Sequence, residues 1–274
     1  MYGLVYSVND PAGLGIARIL KQYLSLEKGS VCRNAEECFI GSNLVLAGFK
    51  EDVIYFDFLD ERMPNDVSIY IVLSRHSSEA GVKSYTVHHT GNFGDEALYG
   101  GRPRELGVSS PKTSWLLLRQ LYKNREFFKR LDYEVSYEAT HHGPTSVSKP
   151  IVFIEIGSTA QEWNEILNHQ VVASSIKSFL LETNAHECEP YIGVGGGHYP
   201  RKHTEIALRD KICFGHIIPK YALQYLSLEI LDRMIGRSDC ELRGVVVEKK
   251  GTRAEHRALV EEFGKARGLK LVYV

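Results

Sequence analysis

Short runs of β-branched and aromatic residues alternate with longer segments of helical periodicity along the whole chain of 274 residues. This alternation predicts an α/β fold, because strands that are separated by helices are joined by crossovers and form a mostly parallel sheet. The run of residues 67–73 is almost entirely apolar, which is typical of a strand covered on both faces. We therefore expect a three-layer α/β/α architecture with a central mixed, mostly parallel sheet.

The periodicity of apolar residues places the individual elements. The predicted strands span residues 2–8, 44–49, 53–56, 67–73, 84–88, 133–139, 151–156, 191–194, 244–248 and 269–274. The predicted helices span residues 11–24, 113–131, 160–182, 203–210, 221–235 and 253–267. The chain has no internal repeat and no linker of low complexity, so we predict a single domain over residues 1–274.

One segment, residues 91–111, interrupts this alternation. It contains five glycines and two prolines and has no periodic pattern. A loop of this length inside a compact domain is uncommon and often serves as a lid or a binding loop. A disordered surface excursion is the alternative.

The charge and the cysteines limit the possible partners and the compartment. Lys and Arg total 33 and Asp and Glu 34, so an RNA partner would have to be bound by a local basic patch. The five cysteines (Cys32, Cys38, Cys188, Cys213 and Cys240) include no C-x-x-C pair, and we predict that they are reduced and mostly buried. No segment resembles a signal peptide or a membrane span, which predicts a cytoplasmic protein without membrane contact.

Histidines are the most informative polar residues of the chain. Eight of the eleven fall in five clusters, namely Ser74-Arg75-His76, His88-His89-Thr90-Gly91-Asn92, Thr140-His141-His142-Gly143-Pro144, Gly195-Gly196-Gly197-His198 with His203, and Gly215-His216. Most of these clusters follow or end a predicted strand. Because ligands gather beyond the carboxyl ends of parallel strands, we expect the imidazoles to meet at one edge of the sheet. The other three (His169, His186 and His256) are predicted to be surface residues.

Two of the clusters contain adjacent histidines. Successive side chains of an extended strand point to opposite faces. We therefore expect one residue of the pair His88/His89 to enter the site, and one residue of the pair His141/His142. The other residue of each pair is expected to pack behind it.

Histidine supports proton transfer near neutral pH and also binds zinc. We predict that four histidines are catalytic: His88, His142, His198 and His216. Five residues are predicted to bind one or two zinc ions: His76, His89, His141, His203 and Glu155. Glu138 and Glu205 are further carboxylates that can complete a metal site, and a histidine site without metal is the alternative.

The glycines and the basic residues near these clusters are candidates for substrate binding. Gly195, Gly196 and Gly197 can form a backbone N–H cradle for an oxyanion or a phosphate, or simply a tight turn on the sheet. Arg201, Lys220 and Lys112 are predicted to belong to a basic rim that binds the end of an RNA. Solvated surface charge is the alternative. The absence of a G-x-S-x-G motif disfavours a serine hydrolase.

Several of these segments resemble the motifs of the archaeal and plant type of D-aminoacyl-tRNA deacylase. They are His88-His89-Thr90-Gly91-Asn92-Phe93-Gly94, Thr140-His141-His142-Gly143-Pro144-Thr145, Gly195-Gly196-Gly197-His198-Tyr199-x-Arg201 and Gly215-His216-x-x-Pro219-Lys220-Tyr221-Ala222. The opening Tyr6-Ser7-x-x-Asp10-Pro11-Ala12-Gly13 and the Ser74-Arg75-His76 segment also fit, so the resemblance covers essentially the whole chain.

The resemblance implies an activity, a cofactor and a core fold. The activity is hydrolysis of the ester that joins a D-amino acid to the 3′-terminal ribose of tRNA, which serves the proofreading of mischarged tRNA. The family is described as zinc-dependent and monomeric, with an α/β/α core similar to those of phosphorylases and peptidyl-tRNA hydrolases. The alternatives are an enzyme similar to metallopeptidases or nucleoside phosphorylases that acts on a small molecule, and a module that only binds aminoacyl ends.

Overall fold

Two β-sheets organise the chain in a computed structural model, which describes residues 1–182 and 187–274. The strands in the described residues are β1 (Tyr2–Ser7), β2 (Glu27–Lys28), β3 (Glu37–Ile40), β4 (Leu44–Phe49), β5 (Ile69–Ser77), β6 (Ser84–His88), β7 (Glu134–Tyr137), β8 (Ile151–Ser158), β9 (Glu189–Val194), β10 (Ile212–Ile218), β11 (Gly244–Val247) and β12 (Lys270–Tyr273). The α-helices there are α1 (Pro11–Tyr23), α2 (Leu59–Arg62), α3 (Pro111–Phe127), α4 (Ala160–Asn164), α5 (Ile166–Leu180), α6 (Arg201–Asp210), α7 (Leu228–Gly236) and α8 (Ala254–Arg267).

The larger sheet has eight strands in the order β2-β3-β4-β1-β5-β8-β6-β7. The strand pairs β1–β4, β1–β5, β5–β8 and β6–β7 are parallel, whereas β2–β3, β3–β4 and β6–β8 are antiparallel. The predicted α/β class with a mixed, mostly parallel sheet is therefore confirmed. A second sheet, β10-β9-β11-β12, is wholly parallel, and its separation from the first does not follow from the sequence pattern.

Apolar side chains bind the helices and both sheets into a common core. One hydrophobic cluster includes Ile71 of β5, Trp115 of α3 and Phe214 of β10, all fully buried. The indole Nε1 of Trp115 donates to the carbonyl of Ala207 in α6 at 2.7 Å, which links α3 to the second sheet. This shared core fixes the position of each sheet's loops, from which the site is built.

Local capping explains where several elements begin. Asp10 caps α1, because its Oδ1 accepts from the backbone N–H groups of Ala12 and Gly13 at 2.9 and 3.2 Å. The predicted strand at residues 53–56 is wrong, since this segment is a 3₁₀ helix, Val53–Phe58, capped by Asp52. The sequence Val-Ile-Tyr-Phe has strand propensity, but its Asp52 cap favours a helical turn.

Two predicted helices are each divided into two parts. Residues 160–182 form α4 and α5, which are separated at Glu165, where the backbone is extended. Residues 221–235 form a 3₁₀ helix, Lys220–Tyr225, followed by α7, whose start is capped by Ser227. Among the described residues, none of the helices is long and apolar enough to cross a membrane.

The prediction that all cysteines are reduced is wrong. The structure contains two disulfides, Cys32–Cys38 and Cys188–Cys213, while Cys240 is free and exposed. The second bridge forms because β9 and β10 are adjacent parallel strands, so residues that are far apart in sequence lie 5.6 Å apart at their Cα atoms. The predicted burial is confirmed for Cys32, Cys38 and Cys213.

The three remaining histidines have different surroundings. His169 is buried, which contradicts the predicted surface position, and its Nε2 lies 2.7 Å from the carbonyl oxygen of Trp163. Its ring packs against Gly15 of α1, where any side chain would collide with the imidazole. His256 is partly buried on α8, and His186 lies outside the described residues.

Candidate active site

Histidine and glutamate side chains from several distant segments form one cluster, which we call the His–Glu cluster. The two sheets meet here, because the segment after β7 bonds to the second sheet at two places. The N–H of Ala139 donates to the carbonyl of His198 in the loop after β9, and that of Thr140 donates to the carbonyl of Ile217 in β10. The members of the cluster are His76, His88, Glu138, His141, His142, Glu155 and His198. The expected meeting of distant imidazoles is therefore observed for five of the histidines.

Glu138 lies at the centre of the cluster, and its side chain has no solvent exposure. Its Oε2 lies 2.9 Å from Nε2 of His198 and 3.5 Å from Nε2 of His141. Its Oε1 lies 3.1 Å from Nδ1 of His76. The directions of these contacts nevertheless leave both carboxylate oxygens without a hydrogen bond. A buried carboxylate in this state is suited to a cation.

Glu155 is the second carboxylate and lies on β8. Its Oε1 accepts a hydrogen bond from the hydroxyl of Ser74 at 2.6 Å. Its Oε2 lies 3.5 Å from Nδ1 of His76 and 3.6 Å from Nε2 of His88. The parallel register of β5 and β8, which pairs Ser74 with Glu155, brings these side chains together.

The position of the cluster in the sheet differs from the expected one. Strand β6 is antiparallel to β8, so its carboxyl end, at His88, pairs with Phe153 near the middle of β8. The cluster therefore lies against the central part of β8 rather than at an edge made only by parallel strand ends. The second sheet covers it from the side, through the loop that carries His198.

The expectation for adjacent histidines is confirmed in one pair and wrong in the other. His88 enters the cluster, whereas His89 points away, with its Nδ1 3.1 Å from the carbonyl oxygen of Gly215. His141 and His142 both enter, with ring centroids 4.4 and 4.9 Å from that of His88. The alternation fails because His142 has φ = 46°, a left-handed conformation that no extended strand contains.

The charges of the cluster follow from these contacts. Burial acts to raise the pKa of Glu138, but its close contacts with the imidazoles of His198 and His76 outweigh it and hold this pKa well below its usual value. For His76, burial acts to lower the pKa, but Glu138 and Glu155 raise it to about 11. Burial, together with the nearby His88, lowers the pKa of His142 to about 4. At pH 7 the cluster thus combines anionic carboxylates with a protonated His76 and a neutral His142.

The donor atoms of the cluster fit a metal ion. Three sets each have their ligand atoms within 4.8 Å of one another: His88, His141 and His142; His76, Glu138 and His198; and His88, Glu138 and Glu155. The Nε2 of His88 is buried without a hydrogen-bond partner, as are both oxygens of Glu138. Imidazole nitrogen and carboxylate oxygen are ordinary zinc ligands. His88 and Glu138 each belong to two of these sets.

A cleft of about 1030 Å³ opens onto the cluster. Its walls include His76, His141, His142 and His198, together with parts of the glycine-rich loop and of the 3₁₀ helix Lys220–Tyr225. The loop at residues 91–111 is therefore part of the cleft wall. Another cavity, of about 660 Å³ between α3 and α6, contains no histidine.

Three predicted site histidines lie outside the cluster. His89 and His216 form a separate buried pair with ring centroids 5.9 Å apart, and neither lines the cleft. The ring of His216 is held by the hydroxyl of Thr140 at 3.2 Å and by the carbonyl of Gly107 at 3.1 Å. His203 is fully buried on α6, with its Nε2 3.3 Å from the carbonyl oxygen of Val246. These positions suit structural histidines rather than ligands or catalysts.

The predicted substrate-binding residues also lie outside the cleft wall. Gly195, Gly196 and Gly197 form a turn in which the N–H of Gly195 donates to Ile218, as the tight-turn alternative anticipates. The turn packs on Glu248, because a side chain at Gly196 would meet its Oε2 at 3.1 Å.

The three basic residues predicted to bind substrate lie on the surface, either near the glycine turn or at the start of α3. Arg201 pairs with Glu134 at 3.0 Å. Lys220 bonds through its backbone N–H to the carbonyl of Gly196, while Lys112 is exposed at the start of α3. The cleft instead contains one arginine or lysine among its described lining residues, Arg75, which pairs with Asp52 at 3.1 Å.

In the sequence analysis, one carboxylate of the site receives too small a role and one tyrosine receives none. Glu138 is named only as a carboxylate that can complete a metal site, although it has more imidazole neighbours than Glu155. Its position two residues before Thr140-His141-His142 is the sequence feature that could have identified Glu138 as a central residue of the site. The hydroxyl of Tyr199 lies 2.7 Å from Nε2 of His76, and this tyrosine directly follows His198 in the glycine-rich motif.

Comparison with known proteins places this site in a family. The family model described as D-aminoacyl-tRNA deacylase matches residues 63–272, which include every member of the cluster. The chain is 60% identical to the D-aminoacyl-tRNA deacylase of Desulfurococcus amylolyticus over 274 residues, covering 100% of both chains. It is 59% identical to that of Staphylothermus marinus, covering 100% of this chain and 99% of the relative.

A more distant relative and a solved structure agree with this placement. The D-aminoacyl-tRNA deacylase of Pyrococcus furiosus is 32% identical, with 96% of each chain covered. A crystal structure described as a conserved protein of unknown function matches with a TM-score of 0.92 and 31% identity, over 100% of this chain and 95% of that one. The chain therefore belongs to the D-aminoacyl-tRNA deacylase family.

Proposed function

We propose that the His–Glu cluster is the catalytic centre at which this chain hydrolyses the ester bond of D-aminoacyl-tRNA. The family assignment supports the substrate, a tRNA whose 3′-terminal ribose carries a D-amino acid. The observation that carries the site assignment is the buried carboxylate of Glu138, which has three imidazoles within 3.5 Å beside an open cleft. Products are the free D-amino acid and tRNA. We also propose that the protein acts as a cytoplasmic monomer, as the family resemblance implies.

His142 is reserved for proton transfer, and the residues proposed to hold zinc are the other members of the three ligand sets: His76, His88, Glu138, His141, Glu155 and His198. The chemistry that zinc supplies when bound is polarisation of the ester carbonyl and a lower pKa for a neighbouring water. Ser74 supports this arrangement, because its hydroxyl fixes Glu155 through a 2.6 Å hydrogen bond. Tyr199 fixes the ring of His76 in the same way, at 2.7 Å.

A neutral imidazole at the cleft is proposed to move the proton. His142 lines the cleft, and its lowered pKa of about 4 leaves it neutral at pH 7. It can therefore accept a proton from the water that attacks the ester carbonyl and return it to the ribose oxygen that leaves. Its own Nδ1 lies 2.6 Å from the carbonyl oxygen of Gly143. As the donor in that bond, Nδ1–H leaves Nε2 as the basic nitrogen.

Single substitutions in the cluster test this assignment. We expect His88→Ala, His142→Ala and His198→Ala each to lower the rate of D-tyrosine release from D-tyrosyl-tRNA by 100-fold or more. His256→Ala, on α8 and away from the cleft, is the matched control and should retain activity. Full activity in all three cluster variants would refute the catalytic centre.

Metal analysis tests the cofactor separately from the activity. Purified wild-type protein should contain zinc, and His88→Ala and Glu138→Ala should contain less, while His203→Ala should retain the wild-type amount. L-tyrosyl-tRNA serves as the comparison substrate for the chiral preference. Equal turnover of the two enantiomers would contradict the proposed specificity for D-amino acids.

A further inference from the structure

Two exposed tyrosines line the cleft beside the His–Glu cluster. Tyr99 of the glycine-rich loop is 69% exposed, and Tyr221 of the 3₁₀ helix after β10 is 55% exposed. Both belong to the cleft wall, together with the more exposed Leu98. Exposed aromatic rings in a ligand cleft are unusual in a free protein and indicate a flat partner that covers them.

Each tyrosine has one polar contact at or next to a histidine of the cluster, Tyr99 through its backbone and Tyr221 through its hydroxyl. The carbonyl of Tyr99 accepts from the N–H of Gly143, the residue after His142, at 3.0 Å. The hydroxyl of Tyr221 lies 3.5 Å from Nδ1 of His198. These contacts place both tyrosines beside the His–Glu cluster.

The position of Tyr221 matches the geometry of an aminoacyl ester. The ester is on the ribose of the terminal adenosine, so the adenine base must lie within one ribose of the attacked carbonyl. The hydroxyl of Tyr221 lies against His198, and the ring joins this hydroxyl to the backbone of the 3₁₀ helix, so the ring lies beside the cluster rather than within it. It therefore lies at the distance where a base, rather than the amino acid, is expected.

The charge of the cleft also favours contacts with bases over contacts with phosphates. Its carboxylates are Asp10, Asp52, Glu79, Glu96 and Glu155, whereas Arg75 is the one arginine or lysine among its described lining residues. Arg75 is already paired with Asp52. Phosphates would gain little in such a cleft, while stacking of bases on aromatic rings does not depend on positive charge.

We propose that Tyr221 and Tyr99 form an aromatic subsite that stacks the unpaired bases at the 3′ end of tRNA, with Tyr221 on the terminal adenine. This inference rests on the proposed function, because it places the ester at the His–Glu cluster. The subsite holds the substrate through a feature that all tRNAs share. It leaves discrimination of the amino acid to the other walls of the cleft.

Substitution of the rings tests the subsite with two independent readouts. The first is KM and kcat for D-tyrosyl-tRNA, and the second is the inhibition constant of the trinucleotide CpCpA. We expect Tyr221→Leu to raise both KM and the inhibition constant about tenfold, since stacking of one base contributes about this much. Tyr221→Phe keeps the ring and should stay within twofold of wild type. Tyr99→Leu should raise KM and the inhibition constant by a smaller factor than Tyr221→Leu does.

Tyr55→Leu is the matched control, because Tyr55 is equally exposed but is not a lining residue of the cleft. Equal loss of kcat in Tyr221→Phe and Tyr221→Leu, with unchanged inhibition by CpCpA, would mean that the hydroxyl positions His198 and would overturn the stacking role. Absence of CpCpA inhibition in the wild type would also overturn it. Wild-type protein that binds CpCpA but releases no D-tyrosine would instead refute the proposed function.

Discussion

The imidazole Nε2 of His198 lies 2.9 Å from Oε2 of Glu138, and this contact joins the loop after β9 to the segment after β7. The two residues come from opposite sides of the boundary between the two sheets. Their contact therefore makes the site depend on how the sheets pack, and not on either sheet alone. Removal of the carboxylate charge is the most direct way to measure what this contact contributes.

We predict that Glu138→Gln lowers kcat/KM for D-tyrosyl-tRNA by at least 100-fold, or about 2.7 kcal/mol of transition-state stabilisation. Glutamine has nearly the same shape but no charge, so three imidazoles lose the anion that holds them in place. The measurement is steady-state kinetics on protein whose circular dichroism matches wild type. Glu134→Gln, four residues earlier and paired with Arg201 on the surface, is the control. Activity within threefold of wild type for Glu138→Gln would show that this carboxylate has no central role.

Tyr199→Phe tests a positioning residue. The change removes the hydroxyl that lies 2.7 Å from Nε2 of His76 and leaves the ring in place. A lost hydrogen bond to a charged group contributes about 1.5 kcal/mol, which corresponds to about a tenfold fall in kcat/KM. If Tyr199 orients His76, the pH profile of kcat should also shift. Tyr122→Phe, on the exposed face of α3, provides the comparison. An unchanged rate and an unchanged pH profile would leave Tyr199 without a role in catalysis.

The fold class and most of the strands are predictable from the sequence because they depend on local patterns. Residues 44–49 and 84–88 form β4 and β6 with the predicted bounds. The existence of a second sheet was not predictable, because the alternation of strands and helices continues through β9 to β12 without a break. Only long-range pairing determines that β9 joins β10 and β11 rather than the first sheet.

For the site, too, local sequence patterns predict some features, whereas others depend on long-range packing. The clustering of His88, His142 and His198 follows from their places near strand ends, whereas His203 and His216 also lie near strands but are buried elsewhere. The sequence could not separate these groups, because the difference lies in the direction of the side chains. The conformation of His142 with φ = 46° is a further example, since no local pattern predicts it.

Stability in mild acid should depend on His203. Burial lowers the pKa of this histidine to about 4, below its unfolded value of 6.5. The stability that comes from the neutral ring is therefore complete above pH 6.5 and is lost as the pH falls towards 4. Between pH 7.5 and pH 5 we expect the unfolding free energy of the wild type to fall by about 2 kcal/mol through this group.

His203→Gln can still donate to Val246 but cannot titrate, so its unfolding free energy should change less over this range. Urea titrations at the two pH values measure the difference, and His256→Gln is the control. An identical pH dependence in His203→Gln and wild type would contradict the assignment.

The two disulfides should stabilise the fold to different extents. Cys188 and Cys213 are separated by 25 residues and join neighbouring strands of the second sheet, whereas Cys32 and Cys38 are separated by 6. Because a cross-link restricts the unfolded chain more when it closes a longer loop, we expect about 3 kcal/mol from the first bridge and about 2 kcal/mol from the second. Urea unfolding of Cys188→Ala/Cys213→Ala and of Cys32→Ala/Cys38→Ala under oxidising conditions measures both values. Cys240→Ala, which removes the free and exposed thiol, should match wild type. If the Cys188→Ala/Cys213→Ala protein is as stable as wild type, and reductant has no effect on wild type, the bridge between β9 and β10 does not stabilise the protein.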